Sequence, residues 1–200
     1  MSRLVDQGAV FAGWVGVGAA VVVVVAFALI LPVQAVVYLL ALPSGALIGW
    51  YANNRAARYR PRGRVMLNAA WAGLMTGLAM SVFYVGIRLV FVYGDSGYPD
   101  FNRVDPPTRQ PIPPYCATGP DCTYRRYLAA GREPELRAVG VTDAASFERY
   151  ILGEQLGFGG LLIALTVSGA AVAGAWRTVN RPPASEITDV PLKGAVEPAD

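Results

Sequence analysis

Two cysteines, one arginine and one glutamate are the residues of this chain best placed to do chemistry. Cys116 and Cys122 enclose Ala-Thr-Gly-Pro-Asp, a spacing that suits a disulfide closing a small turn at Gly119-Pro120. Such a bond forms in an oxidising compartment, and closing so short a loop stabilises by about 2–3 kcal/mol in the chain-entropy picture. Arg88 and Glu154 stand near the facing ends of two apolar stretches joined by one loop. At helical rise they lie roughly 7 Å and 6 Å beneath the same surface. That placement predicts an intramembrane ion pair that clamps the two stretches and anchors the loop above them. Asp95, Asp100, Asp105 and Glu154 would be the raw material of a carboxylate enzyme, but their spacing fits no acid–base pattern and reads as solvated loop acids.

The absences narrow the chemistry further. Histidine is missing altogether, which removes the commonest metal ligand, the usual imidazole base and the usual haem ligand. Two cysteines are too few for a four-cysteine zinc or iron–sulfur site within one chain. No P-loop, nucleophile-elbow or H-E-x-x-H motif occurs. The expectation is a protein with no metal, no cofactor and no enzymatic activity.

The elements that hold these residues are apolar and long. Apolar residues make up 54% of the chain and charged residues 16%, well short of the quarter expected of a soluble domain. Residues 8–52 carry no charge, and residues 151–176 carry only Glu154. As one helix, 8–52 would reach about 67 Å, roughly twice a bilayer core, so it must turn back, and Leu31-Pro32-Val33-Gln34 is the place. Four spans follow: 8–31, 33–52, 65–93 and 151–176. The fold class is an all-α integral membrane protein, a four-transmembrane-helix bundle with a partly helical extracytoplasmic loop between helices 3 and 4. A signal-peptide reading of the first span, with cleavage near Ala26-Phe27-Ala28, is the alternative there. Arg3 balanced by Asp6 and the length of the apolar run favour a retained span.

Arg55, Arg58, Arg60, Arg62 and Arg64 fall in the short segment 53–64, which has no acid. Arginines flanking spans stay on the cytoplasmic side. Both termini, 1–7 and 177–200, are then cytoplasmic, the tail reads as disordered, and the protein sits in the plasma membrane. The net charge of +3 reflects this loop, so topology and anionic headgroups explain it and nucleic acid is not an expected partner.

Small residues recur at every fourth position in all four spans, among them Gly45, Gly49, Gly73, Gly77, Gly153 and Gly157. Such stripes let helices approach closely in lipid, either within one bundle or across a homo-oligomer or larger membrane complex. Pro43 in mid-span 2 predicts a kink. The loop 94–150 opens with Tyr98-Pro99-Asp100-Phe101 and then stiffens at Pro106, Pro107, Pro111, Pro113 and Pro114, a strip that reads as a spacer, with partner docking beside Tyr115 as the alternative. A short helix over 123–130 follows, with Tyr124, Tyr127 and Leu128 on one side and Gly131 as its stop. A second helix starts at Thr142 or Asp143 and runs into span 4.

Four spans, inner termini and a cysteine-bearing second outer loop resemble the topology of bacterial quinone-linked thiol oxidases. Those enzymes also carry a C-x-x-C pair in the first outer loop. Here that turn, 31–34, has no cysteine, so electrons have no route to a quinone. Tetraspanins share the outline, but their Cys-Cys-Gly motif is missing. The expected function is a non-enzymatic accessory, assembly or interaction component of the membrane. The alternatives are an oligomeric small-solute transporter or channel subunit and, weakest, a membrane enzyme using carboxylates at the outer interface.

Overall fold

A computed structural model describes residues 4–30, 34–56, 61–95, 98, 107, 116 and 118–180. Among these residues the structure is all helical. Helix α1 spans Gln7–Val24 and continues as a π-helical segment, Val25–Ile30. Then come α2 (Gln34–Arg55), α3 (Arg62–Gly94), α4 (Pro120–Ala129), α5 (Glu133–Ala138) and α6 (Ala144–Val179). The turn at 31–33, Arg58, Arg60, most of the proline strip and the tail beyond 180 lie outside the described residues. Helix α6 runs to Val179, so Arg177–Val179 are helical and the tail begins later than the charge pattern implied. Helix α2 passes Pro43 as one element.

Four helices, Gln7–Ile30, Gln34–Arg55, Arg62–Gly94 and Ala144–Val179, are long and apolar enough to cross a membrane. Their outward faces carry large apolar side chains: Val22, Leu39, Val82, Leu156 and Val172 are each at least 66% exposed. A surface this apolar over a whole bundle is unsuited to water. Helices α2 and α3 pack on each other and on both α1 and α6, so α1 and α6 flank a central α2/α3 pair.

The centre is built from small residues because the backbones nearly touch. A Cβ at Gly45 would stand 2.0 Å from the Thr166 carbonyl oxygen, and one at Gly49 would stand 2.7 Å from Ala170 Cα. At Gly73 and Gly77 it would meet Ala170 Cβ at 2.6 Å and Thr166 Oγ1 at 2.1 Å. These four glycines therefore seat α6 against α2 and α3. Gly153 and Gly157 do not take part: both are exposed, with nothing within 4 Å of a Cβ. The inner stripe of α6 runs through Ile151, Gln155, Gly159, Leu162 and Thr166. Two residues along a helix is about 200° of rotation, which turns Gly153 and Gly157 to the opposite face.

One end of the bundle is the arginine end. There Asp6 and Asn68 pair reciprocally: the Asp6 backbone N–H donates to Asn68 Oδ1 at 3.1 Å, and Asn68 Nδ2 donates to Asp6 Oδ2 at 3.0 Å. Asn68 is fully buried, and the pair satisfies its amide while tying the start of α1 to α3. Arg64 donates to the Leu4 carbonyl, and Arg55 lies over the rings of Phe11 and Tyr51. Arg177 donates to Asn54, and Arg62 opens α3.

Candidate functional site

The opposite end is covered by a cap made of α4, α5 and the first turns of α6. The Cys116–Cys122 bond, with Cα atoms 5.5 Å apart, closes the turn that leads into α4. Gly119, at φ 103°, makes that turn. Pro120 then opens α4, where its fixed φ suits a first helical position. Helices α4 and α5 both end in Schellman motifs. Gly131 and Gly140 supply the left-handed residue at φ 73° and 80°. Arg132 N–H bonds the Tyr127 carbonyl and Val141 N–H the Leu136 carbonyl. Helix α5, only six residues long, escapes a periodicity reading. Its local signal is Glu133-Pro134-Glu135 at the start and Gly140 just past the end.

Of the two cap residues expected, Thr142 and Asp143, it is Asp143 that starts α6. Asp143 accepts from Ser146 N–H at 2.7 Å, and Ser146 Oγ accepts from Asp143 N–H at 3.0 Å, a reciprocal capping box. Those bonds hold the Asp143 carboxyl below its ordinary value. The cap's own core is Val92, Leu136, Val141, Phe147 and Ile151, with Tyr124, Tyr127 and Leu128 packed on it. Thr123 donates to the Val92 carbonyl at 3.3 Å, satisfying one of the carbonyls that α3 leaves open at its end. Tyr93 donates to Glu148 at 2.5 Å.

Arg126 was not anticipated from the sequence, yet it is 2% exposed. Its guanidinium donates to the Tyr98 carbonyl at 2.6 Å and to the Cys116 carbonyl at 3.3 Å. It thereby binds the disulfide to the segment after α3.

Beneath the cap lies a polar junction of α2, α3 and α6. The expected direct Arg88–Glu154 ion pair is not made. Arg88 Nη2 donates to Tyr98 Oη at 2.9 Å, and its guanidinium carbon lies 5.5 Å from the Tyr98 ring centre. Glu154 accepts from Tyr150 at 3.4 Å and from Gln155 Nε2 at 3.3 Å. The depths agree with the sequence reading, but Arg88 faces up to the segment after α3 while Glu154 is held by its own helix. Glu154 is bonded to Gln155 on the inner stripe of α6, and Arg88 stands one turn nearer the cap than Tyr84, which packs on Tyr38.

Tyr38 meets Tyr84 edge-on and Phe158 at a tilt, each with ring centres 5.6 Å apart. Tyr84 donates to Gln34 at 3.5 Å. Burial, reinforced by neighbouring Tyr98, pushes the Tyr127 phenol up to about 12. Tyr38, Tyr84, Gln34 and Gln155 were not singled out in the sequence. Their only signal there is polarity within otherwise apolar spans.

Below the junction the core is mostly apolar, and its buried Thr76 and Thr166 hydroxyls are bonded within their own helices. Ala20, Val24, Val37, Ala41, Met80 and Leu162 form one apolar cluster. An open groove of about 340 Å³ between Leu29 and α3, lined by Val82, Phe83, Gly86, Ile87, Val90 and Phe91, lies on the outward surface. Among the described residues no group of three His, Cys, Asp or Glu side chains is placed to hold a metal ion. No protein-family model, curated protein or solved structure matches this chain.

Proposed function

We propose that this chain is a plasma-membrane protein whose cap lies outside the cell, with both termini in the cytoplasm, and that it works as a non-enzymatic assembly or interaction component. The arginine-flanked hairpin between α2 and α3 supports the orientation. The tryptophans mark the depth of an interface at that end. Trp14, Trp50, Trp71 and Trp176 are all between 38% and 71% exposed, and each lies within about 14 Å of the arginine end at helical rise. Exposed tryptophans gather at headgroup depth.

The observation that carries the interaction reading is the construction of the cap. A disulfide, the buried Arg126 and two Schellman turns hold a small outer surface in one conformation. A surface organised before contact loses little entropy when a partner binds. Its charged helices present the pairs Arg125–Asp121, Arg132–Glu135 and Arg137–Glu133, all solvent-exposed, and such pairs add little stability of their own.

The test is purification in mild detergent with cross-linking from Arg125 and Arg137 substituted by a photoreactive residue. A stoichiometric membrane partner, cross-linked from the cap and lost on reversing the charges of α4 and α5, is expected. A monodisperse chain with no partner, together with solute flux in liposomes, would instead favour the transporter reading. Because Met80 and Leu162 close the single bundle, that flux would need an axis between copies.

A further inference from the structure

Three helices meet under the cap, and each contributes one buried polar atom without a protein partner: Tyr38 Oη from α2, Arg88 Nε from α3 and Gln155 Oε1 from α6. Gln155 is 2% exposed and lies on the inner stripe of α6, while its amide nitrogen is turned to Glu154. The Tyr38 ring packs on Tyr84 of α3 and on Phe158 of α6, and Arg88 and Gln155 stand about one turn nearer the cap on those same two helices. Leaving a buried donor or acceptor without a partner forfeits its hydration with nothing in return. Sites that collect several such atoms are where folded proteins hold internal water.

The three atoms differ in what they ask of an occupant. Arg88 Nε–H only donates, Gln155 Oε1 only accepts, and the phenol does either. One occupant must therefore accept and donate at once. Arg88 stands at this site and Glu154 is bonded to Gln155, so a net charge of either sign is repelled by one as it is drawn by the other. A neutral hydroxyl oxygen meets all of these demands, whereas a metal cation or an inorganic anion does not.

We propose that the α2/α3/α6 junction is a hydration site in which ordered water bridges Tyr38, Arg88 and Gln155. The site does not depend on what the cap binds. It makes the cap a roof over a hydrated level of the bundle, with Tyr98, held by Arg88 and Arg126, as part of that roof.

Radiolytic hydroxyl-radical footprinting of the full chain in lipid nanodiscs tests this, because radicals label side chains in contact with bound water. Each rate is normalised to that of the same residue in the unfolded chain. Tyr38 is expected to label severalfold faster than Phe27, although both pack against the same apolar cluster. Tyr38 labelling at the Phe27 level overturns the proposal, and that comparison needs no variant. In Gln155→Leu and Arg88→Met, which remove the acceptor and the donor, Tyr38 should lose most of its labelling. Unchanged labelling in folded variants would mean bulk solvent rather than bound water, and overturns it as well.

Discussion

The glycines divide by what a single methyl group would meet. At Gly45 a new side chain strikes the Thr166 carbonyl, a backbone atom that cannot swing away. Gly45→Val is expected to lower the unfolding temperature in detergent and cost about 1–3 kcal/mol or more, as overpacking does. Gly153→Ala and Gly157→Ala meet nothing and should leave the monomer's melting curve unchanged or slightly raised, since alanine favours helix by up to about 1 kcal/mol. The same thermal scan on the three variants checks both statements. Two titrating residues make further predictions in the cap. The Asp143 carboxyl is held below its ordinary value by Ser146, so its contribution is complete above the unfolded carboxylate range near pH ~4 and is lost as pH falls below it. Asp143→Ala should remove that acid-sensitive component of cap stability, read by hydrogen exchange at Ser146 and Phe147. Tyr127 runs the other way. Its neutral form is favoured, with the phenol raised to about 12, so the stability it supplies is present below pH ~10 and is lost as pH rises through that interval. In a tyrosinate absorbance titration, Tyr127→Phe should reduce the late-ionising amplitude by one phenol.

At the scale of elements, the cap depends on long-range ties more than on its short helices. Helix α4 has ten residues and α5 six, below the length at which isolated helices hold in water. Their stability comes from the disulfide, Arg126 and the cluster around Phe147. Cys116→Ser with Cys122→Ser should cost the cap about 2–3 kcal/mol. Limited proteolysis should then cut between 107 and 140 much faster than in the parent chain, while the spans stay protected. Equal cleavage rates would show that Arg126 and the apolar cluster suffice. Several of these elements were legible beforehand. The Asp143 start of α6, the Gly131 stop and the shared side of Tyr124, Tyr127 and Leu128 all follow from local rules. Helix α5 was missed because six residues show no apolar period. The Asp6–Asn68 lock was missed because a lone asparagine in an apolar run does not reveal its partner across 62 positions.

For the whole molecule, orientation is the decisive property, and it is tested from outside the cell. In a background lacking both native cysteines, Val139→Cys should react with a membrane-impermeant thiol reagent in intact cells, because Val139 lies half-exposed on the cap. Ala57→Cys, in the arginine loop, should react only after lysis. The reverse pattern would invert the topology and place the cysteine pair in a reducing compartment.

The sequence by itself determined the number of long apolar helices, the hairpins they form, the arginine end and the pairing available to two cysteines. These rest on composition and on spacing along the chain, and a run of apolar residues has few other structures open to it. Tertiary structure decided which small-residue faces are used. Every helix carries such a face, but only the rotation of α6 against α2 and α3 separates Gly45, Gly49, Gly73 and Gly77 from Gly153 and Gly157. It also decided the fate of Arg88 and Glu154. Equal depth along two helices fixes how far down a charge lies but leaves its direction open. Packing turned Arg88 to Tyr98 and Glu154 to Tyr150 and Gln155, so two opposite charges share a site without touching.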